Sequence, residues 1–169
     1  MVQKILVALD GSVQSKNALE HASEMCQKFD AQLNLVNVLD TGHVPEELVH
    51  MAEVEHIIEP EDVIAEVPLA TAPYSSGKSY LDDKMHAIIS EKIIEQAVRE
   101  ANKKGIKDIN TFIERGDPAD RILAIADRTG ADMIVMGSRG IGPLKALLVG
   151  SVSQKVHALS KCTLTCMKE

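Results

Sequence analysis

The chain has 169 residues, of which 45% are hydrophobic and 25% charged, and its formal net charge is −7. A chain of this length predicts a single domain, 1–169, and the negative balance argues against binding along nucleic acid, which needs an excess of lysine and arginine. No apolar run reaches the roughly 18 residues of a membrane span and the N-terminus does not resemble a signal peptide, so we predict a cytoplasmic protein without membrane insertion.

Five short runs rich in β-branched residues alternate with helical patterns along the chain, which predicts βαβ units around a parallel sheet. The predicted strands are 5–9, 33–39, 109–113, 133–136 and 163–167. The first and fourth runs are almost continuously apolar, as expected of strands covered on both faces. The last run alternates polar and apolar residues, which is typical of an edge or interface strand.

Apolar residues at helical spacing predict helices over 15–29 and 83–104, with Gly105 as the stop of the second. Asp117 followed by Pro118 predicts the start of a third helix, which ends at Gly130. The segment 151–154 has the pattern of a capping box and predicts a last helix with Ser151 as its N-cap.

A segment of about 41–82 is too long for a tight connection between a strand and a helix. We read it as an insert, helical over 45–58 and irregular over 67–80, that could serve as a lid, a dimer arm or a docking loop for a partner protein. His50, Glu53 and His56 fall within it, and their spacing favours a solvated helix face over a metal site. The three cysteines, Cys26, Cys162 and Cys166, are interpreted as small buried apolar residues.

The stretch 136–152 lies between the predicted end of the fourth strand and the last helix, and it is rich in small residues: Gly137, Ser138, Gly140, Gly142, Gly150 and Ser151. Glycine lets backbone N–H groups approach an anion, and the N-terminus of the following helix favours phosphate. Ligands of open α/β sheets bind outside the carboxyl ends of the strands, where this stretch falls. The alternative is that the glycines only shape a turn.

The spacing Gly137-x2-Gly140-x9-Gly150-Ser151 resembles the nucleotide-binding signature of the universal stress protein family. The opening 4–12, the segment 116–118 and the stretch 130–137 resemble other parts of the same family, in the same order. The resemblance implies an α/β fold with an open five-stranded parallel sheet of order 3-2-1-4-5 and helices on both faces. It also implies a homodimer formed through the last strand, although Cys162 and Cys166 stand where the family commonly has proline and aliphatic residues.

The resemblance further implies a set of ATP-binding residues. Ala8 and Val38 would line the adenine slot, Val38 through its backbone, and Asp10 would hold the ribose. The other residues would wrap the ribose and phosphates: Met136, Gly137, Ser138, Arg139, Gly140, Ile141, Gly142, Gly150, Ser151 and Val152. Mg²⁺ or Mn²⁺ would be bound through the phosphates, and no residue is assigned to catalysis or to a metal.

The sequence favours a nucleotide-dependent switch or sensor, because it contains a phosphate cradle without a Walker A lysine or a dedicated acidic cluster. A slow ATP hydrolase or phosphotransferase is one alternative. An adaptor that docks a partner through the insert, with a vestigial or cyclic-AMP-binding site, is another. A phosphoacceptor receiver domain is excluded, because the third predicted strand is followed by Glu114 and Arg115 where an aspartate is required.

Overall fold

The computed structural model describes residues 2–39, 77–140 and 150–168, and in these ranges strands and helices alternate. The strands are β1 (Lys4–Ala8), β2 (Gln32–Leu39), β3 (Ile109–Arg115), β4 (Met133–Gly137) and β5 (Thr163–Met167). The helices are α1 (Val13–Phe29), α2 (Gly77–Lys103), α3 (Pro118–Thr129) and α4 (Ser151–Leu159). Each of the five predicted strands is therefore present, with bounds that differ by at most two residues.

The strands form one parallel sheet of order β3-β2-β1-β4-β5, as the family resemblance implies. β1 lies at its centre, where Ala8 is in register with Val36 of β2 on one side and Met136 of β4 on the other. Every residue of β4 is buried, which confirms that the fourth apolar run is covered on both faces.

Helices cover both faces of the sheet and divide the core into two clusters. The first cluster packs residues such as Ile5, Val7 and Leu35 against α1 and α2. The second packs Leu6 and Ile134, among others, against α3 and α4. Successive strand residues point to opposite faces, so each central strand supplies both clusters.

Helix starts differ from the predicted ones in three places. α1 begins two residues earlier than predicted, because Ser12 caps it and accepts the Ser15 N–H. α2 begins at Gly77, so the end of the insert predicted to be irregular is helical instead. The N-cap predicted for α4 is wrong: Gly150, and not Ser151, is its N-cap, and Gly150 makes no side-chain capping bond. The predictions for α3 are confirmed, with Asp117 as N-cap and Gly130 as C-cap.

The cysteines are only partly as predicted. Cys26 is buried in the first cluster, and burial raises the pKa of its thiol to about 11. Cys162 is half-buried and Cys166 is exposed, in keeping with the position of β5 at the edge of the sheet that the described residues form. The prediction of burial is therefore wrong for Cys166.

Several predictions lie outside the described residues. They are the helix expected over 45–58, the three residues His50, Glu53 and His56, most of the insert, and the binding residues Ile141 and Gly142. Among the helices that the structure describes, none has both the length and the apolar character needed to cross a bilayer.

Candidate functional site

The candidate site lies where the strand order reverses. From β1 the chain proceeds outward through β2 to β3, then crosses back to β4 and continues to β5. The carboxyl ends of β1 and β4 therefore lead to helices on opposite faces of the sheet, α1 on one and α4 on the other. A crevice opens between such neighbouring strands, and it is the usual ligand site of open α/β sheets.

Asp10 and Gly140 face each other across this crevice. Asp10 follows β1 and is partly buried, and Gly140 follows β4 and is exposed. A Cβ atom placed on Gly140 would overlap Oδ2 of Asp10. The carboxylate thus points toward the glycine turn, and only glycine permits an approach this close.

Gly137 shows a second close approach at the same turn. A Cβ here would lie 2.7 Å from the Arg139 carbonyl oxygen and 2.9 Å from Cβ of Gln14, both closer than real Cβ contacts. None of the described glycines of this stretch has a positive φ. Their role in the described part of the turn is therefore to allow atoms to approach, and not to allow a special backbone conformation.

The backbone of Ser138 draws the two ends of the glycine stretch together. Its carbonyl oxygen accepts the Gly150 N–H at 2.8 Å and lies 2.8 Å from Oγ of Ser153, which donates to it. Its own N–H donates to the Met167 carbonyl of β5 at 2.7 Å. These contacts hold the start of α4 beside the end of β4.

The N-terminus of α4 is open toward the same turn. The first helical bond runs from the Gln154 N–H to the Gly150 carbonyl, at 3.0 Å. The N–H groups of Ser151 and Val152 precede it and have no intrahelical acceptor, and the N-cap residue Gly150 has no side chain to cap them. A Cβ on Gly150 would lie 3.4 Å from Cα of Arg139, next to Gly140. Asp10 and the α4 N-terminus therefore flank one short turn.

An apolar patch adjoins this turn on the α3 and α4 face of the sheet. It consists of Ala8, Val38, Met136 and Val152, which all belong to the second core cluster. Met136 is buried, and the other three are half-buried. The sequence assigned all four to the ligand, and the fold brings them to one end of one face.

The backbone of Val38 also points toward the crevice. Leu9 donates its N–H to the Val36 carbonyl, so the backbone groups of Val36 face β1. Strand residues alternate, so the N–H and carbonyl of Val38 face the same side. The register between β1 and β2 ends at Ala8 and Val36, which leaves Val38 beyond the last pair.

The polar residues of the predicted set have different environments. Ser138 is buried, Arg139 is half-buried, and Ser151 is exposed at the start of α4. Lys155, in the next turn of α4, faces α3 instead, with Nζ 2.7 Å from Asp120 and 3.1 Å from Asp117. The Asp117 carboxyl accepts hydrogen bonds from the Asp120 N–H and from Lys155. Both bonds lower its pKa, and the bond from the Asp120 N–H has the larger effect.

Two residues with roles at the site were missed from the sequence. Ser153 looks like an interior residue of a capping box, yet its hydroxyl binds the Ser138 carbonyl, a contact between residues 15 positions apart. Ser12 donates to Asp10, and the sequence Asp10-Gly11-Ser12 does carry a local signal, because aspartate before glycine is typical of side-chain-stabilised turns.

A separate cavity of about 280 Å³ lies between α1 and α2, on the opposite face of the sheet. Leu19, Ile93 and Ala97 are among the residues that line it, and Lys104 and Glu20 form an ion pair of 3.0 Å at its rim. Leu9 and Gly11, which flank Asp10 in the chain, also line this cavity, whereas Gly137 and Gly140 do not.

Comparison with known proteins identifies the family. The family model of the universal stress proteins matches residues 1–168. The chain belongs to the universal stress protein family. It is 34% identical to the universal stress protein YxiE of Bacillus subtilis over 164 residues, with 96% of each chain covered. It is 33% identical to the stress response protein NhaX of the same organism, over 93% of this chain and 92% of that one.

Solved structures of universal stress proteins share the fold. UspA from Lactobacillus plantarum has a TM-score of 0.70 and 19% identity, with coverage of 99% of this chain and 98% of that one. A universal stress protein in complex with cAMP has a TM-score of 0.64 and 21% identity, with coverage of 99% and 97%. One from Archaeoglobus fulgidus in complex with dAMP has a TM-score of 0.58 and 19% identity, with coverage of 99% and 100%.

Proposed function

We propose that this universal stress protein binds ATP in the crevice between β1 and β4, and that nucleotide occupancy is a regulatory signal in the cytoplasm. The observation that carries the proposal is the position of Asp10, whose Oδ2 faces Gly140 across the crevice. An ionised carboxylate accepts hydrogen bonds only, and the hydroxyl groups of a ribose are suitable donors.

The proposed pose follows from what surrounds Asp10. The adenine lies on Ala8, Val38 and Met136, and the backbone groups of Val38 offer a donor and an acceptor to its edge. The phosphates lie at the N-terminus of α4, where the N–H groups of Ser151 and Val152 and the positive end of the helix dipole favour anions.

A divalent cation enters the proposed pose through the ligand. Within 2–39, 77–140 and 150–168, no three side chains of His, Cys, Asp or Glu converge on a position for a metal ion. In the proposed pose, Mg²⁺ or Mn²⁺ is held by the phosphates and neutralises part of their charge next to the helix.

The relatives solved with cAMP and dAMP support an adenine nucleotide as the ligand class. The open helix N-terminus is the reason to prefer ATP. A longer phosphate chain can reach the N–H groups of α4, whereas the cyclic phosphate of cAMP is tied to its own ribose. This choice also distinguishes the proposal from an adaptor with a cyclic-AMP-binding site.

The regulatory part of the proposal includes a homodimer formed through β5. The N–H of Thr163 and the carbonyl of Met167 form hydrogen bonds with the neighbouring β4 side of the sheet. Backbone groups of successive strand residues point to opposite sides, so those of Leu164 and Cys166 point to the free edge. An exposed strand edge of this kind can pair with a second copy. The Ser138–Met167 bond connects this edge directly to the glycine turn.

The direct test is calorimetric titration of the purified protein with ATP and with cAMP, in the presence of Mg²⁺. We expect saturable binding of ATP, weaker binding of cAMP, and weaker but still measurable binding of ATP by Asp10→Ala, in which the contacts to base and phosphate remain. Absence of saturation at about 1 mM ATP, a concentration that detects a binding free energy of about −4 kcal/mol, would contradict the proposal. Mass spectrometry of small molecules released by heating the purified protein provides an independent readout.

A further inference from the structure

The turn after β1 holds Asp10 in one orientation. Oδ1 of Asp10 accepts two hydrogen bonds from the same residue, the Ser12 N–H at 3.0 Å and the Ser12 hydroxyl at 2.6 Å. Gly11 lies between them with φ at +86°, a conformation that glycine adopts readily and that lets the chain fold back on Asp10. Two donors on one oxygen restrict rotation of the carboxylate.

The second carboxylate oxygen lies at the glycine turn, in the crevice where the proposed ligand would bind. Oδ2 is the atom that lies against Gly140, and Oδ1 is the atom bound to Ser12. An ionised carboxylate has about four acceptor positions, so the two oxygens can serve different partners at the same time. Ser12 occupies one oxygen and thereby directs the other toward the crevice.

Ser12 is itself held in place by α1. Its side chain accepts the Ser15 N–H at 3.2 Å, and its carbonyl accepts the Ser15 hydroxyl at 2.9 Å. Only 8% of its surface is exposed. The Ser12 hydroxyl thus has two partners: its oxygen accepts a bond from the helix, and its proton is donated to Asp10. One serine therefore joins the helix cap to the carboxylate.

We propose that Ser12 is a positioning residue that sets Asp10 for recognition of the hydroxyl groups of the nucleotide sugar. The inference rests on the proposed function and deepens it. Ser12 does not contact the ligand and acts through Asp10. Its removal is therefore expected to weaken binding of a sugar with free hydroxyls selectively, and to leave the contacts to base and phosphate unchanged.

The test compares ATP with 2′,3′-dideoxy-ATP in calorimetric titrations of the wild type and of Ser12→Gly. Glycine is nearly as good an N-cap as serine, so this variant removes the hydroxyl and retains most of the helix cap. We expect the affinity for ATP to fall about tenfold, as for a misplaced hydrogen bond to a charged group, while the affinity for the dideoxy nucleotide changes less than about twofold. Ser12→Thr, which keeps a hydroxyl, should retain ATP binding.

Two further variants separate positioning from stability. Ser23→Ala removes another buried hydroxyl of α1, one that donates to the Leu19 carbonyl at 2.7 Å, and should leave both affinities unchanged. In an Asp10→Ala background, Ser12→Gly should have no further effect on ATP binding, because the group through which it acts is gone.

The outcomes are distinguishable. If the wild type binds neither nucleotide, the proposed function itself fails. If the wild type binds ATP and Ser12→Gly weakens both nucleotides equally, or neither, the role of Ser12 is overturned while the proposed function stands. An equal effect of Ser12→Gly with and without Asp10 would also overturn it.

Discussion

Oδ2 of Asp10 occupies the position that a Cβ atom would take at residue 140, so only glycine fits there without a shift of the carboxylate. This contact joins the ends of two strands that are 130 residues apart in the chain, and it is the point at which the glycine signature meets the acidic end of β1. The glycine at 140 is explained by Asp10 even without a ligand. The Asp10 carboxylate and Gly140 should therefore be energetically coupled.

The coupling between these residues can be measured by a double-mutant cycle. We expect Gly140→Ala to lower the free energy of unfolding by about 1–3 kcal/mol, because its Cβ overlaps Oδ2 of Asp10. In an Asp10→Ala background the same substitution should cost much less, since the overlapping atom is absent. Chemical denaturation of the four proteins gives the coupling, and additive effects would show that the two residues are not in contact.

The strand order that the family resemblance implies places Asp10 opposite Gly137, and in the structure the carboxylate lies three residues further along the same turn, against Gly140. The role of Ser153 was not predicted. A serine in the first turn of a helix fits a capping pattern both when its hydroxyl points to the helix end and when it points inward. The Ser138 carbonyl that decides the matter belongs to a different element, and a local pattern does not contain that information.

At the scale of elements, α4 carries an unusual start. Gly150 has extended backbone angles and no side chain to satisfy the first N–H groups of the helix, whereas α1 and α3 both begin with a capping side chain. α4, whose N-cap residue makes no side-chain bond, is the helix that follows the glycine turn. This difference between helices of one chain supports a role for an external anion.

A carboxylate at the start of α4 should have opposite effects on stability and on binding. Ser151 is exposed, and the first turn of α4 contains no acidic residue. We expect Ser151→Asp to raise the free energy of unfolding by about 0.3–1 kcal/mol through the helix dipole, and to weaken ATP binding by repelling its phosphates. Ser151→Asn is the uncharged control. Equal ATP affinities of the two variants at low salt would show that the phosphates lie elsewhere.

A second carboxylate fastens β1 to the start of β4. Oδ2 of Asp132 accepts the N–H groups of Gln3 at 2.8 Å and of Lys4 at 3.0 Å. These two bonds lower the pKa of the Asp132 carboxyl, and the bond from Gln3 has the larger effect. The stability they provide is present above the ordinary aspartate pKa of about 3.9, and it is lost as the pH falls through the lower pKa of the folded protein.

Asp132→Asn tests this contact without removing the acceptor. Asparagine keeps a carbonyl oxygen for the backbone N–H groups but does not ionise, so its bonds are weaker and independent of pH. We expect the wild type to be the more stable protein at pH 7, with the difference shrinking as the pH falls below about 4. Denaturation curves at several pH values measure it. A constant difference down to pH 2 would contradict the role assigned to the ionised carboxylate.

At the scale of the whole molecule, the strand order depends on the resemblance and not on the pattern of residues. Apolar runs such as 5–9 and 133–136 predict buried parallel strands, but the same runs would suit several orders of a doubly wound sheet. The long helix α2 was placed correctly from residue 83 onward by its apolar spacing. Its start at Gly77 was missed, because the segment before it is rich in proline, serine and alanine.

The proposed dimer predicts a selective effect of proline in β5. The N–H of Cys166 points away from β4, so Cys166→Pro removes a donor from the free edge and keeps the bonds within the sheet. We expect the wild type and Cys166→Ser to sediment as dimers and Cys166→Pro as a folded monomer. A Cys166→Pro protein that remains dimeric would show that the copies associate through another surface.

The bond between Gly150 and the Ser138 carbonyl has a consequence for how this protein can be altered. It fixes both ends of the intervening segment at one place on the scaffold, so the separation of those ends does not depend on which residues lie between them. The residues between Ser138 and Gly150 can then be replaced while these two anchor positions are kept. Grafting the corresponding stretch of a relative onto these two anchors should transfer its ligand preference and leave the sheet undisturbed.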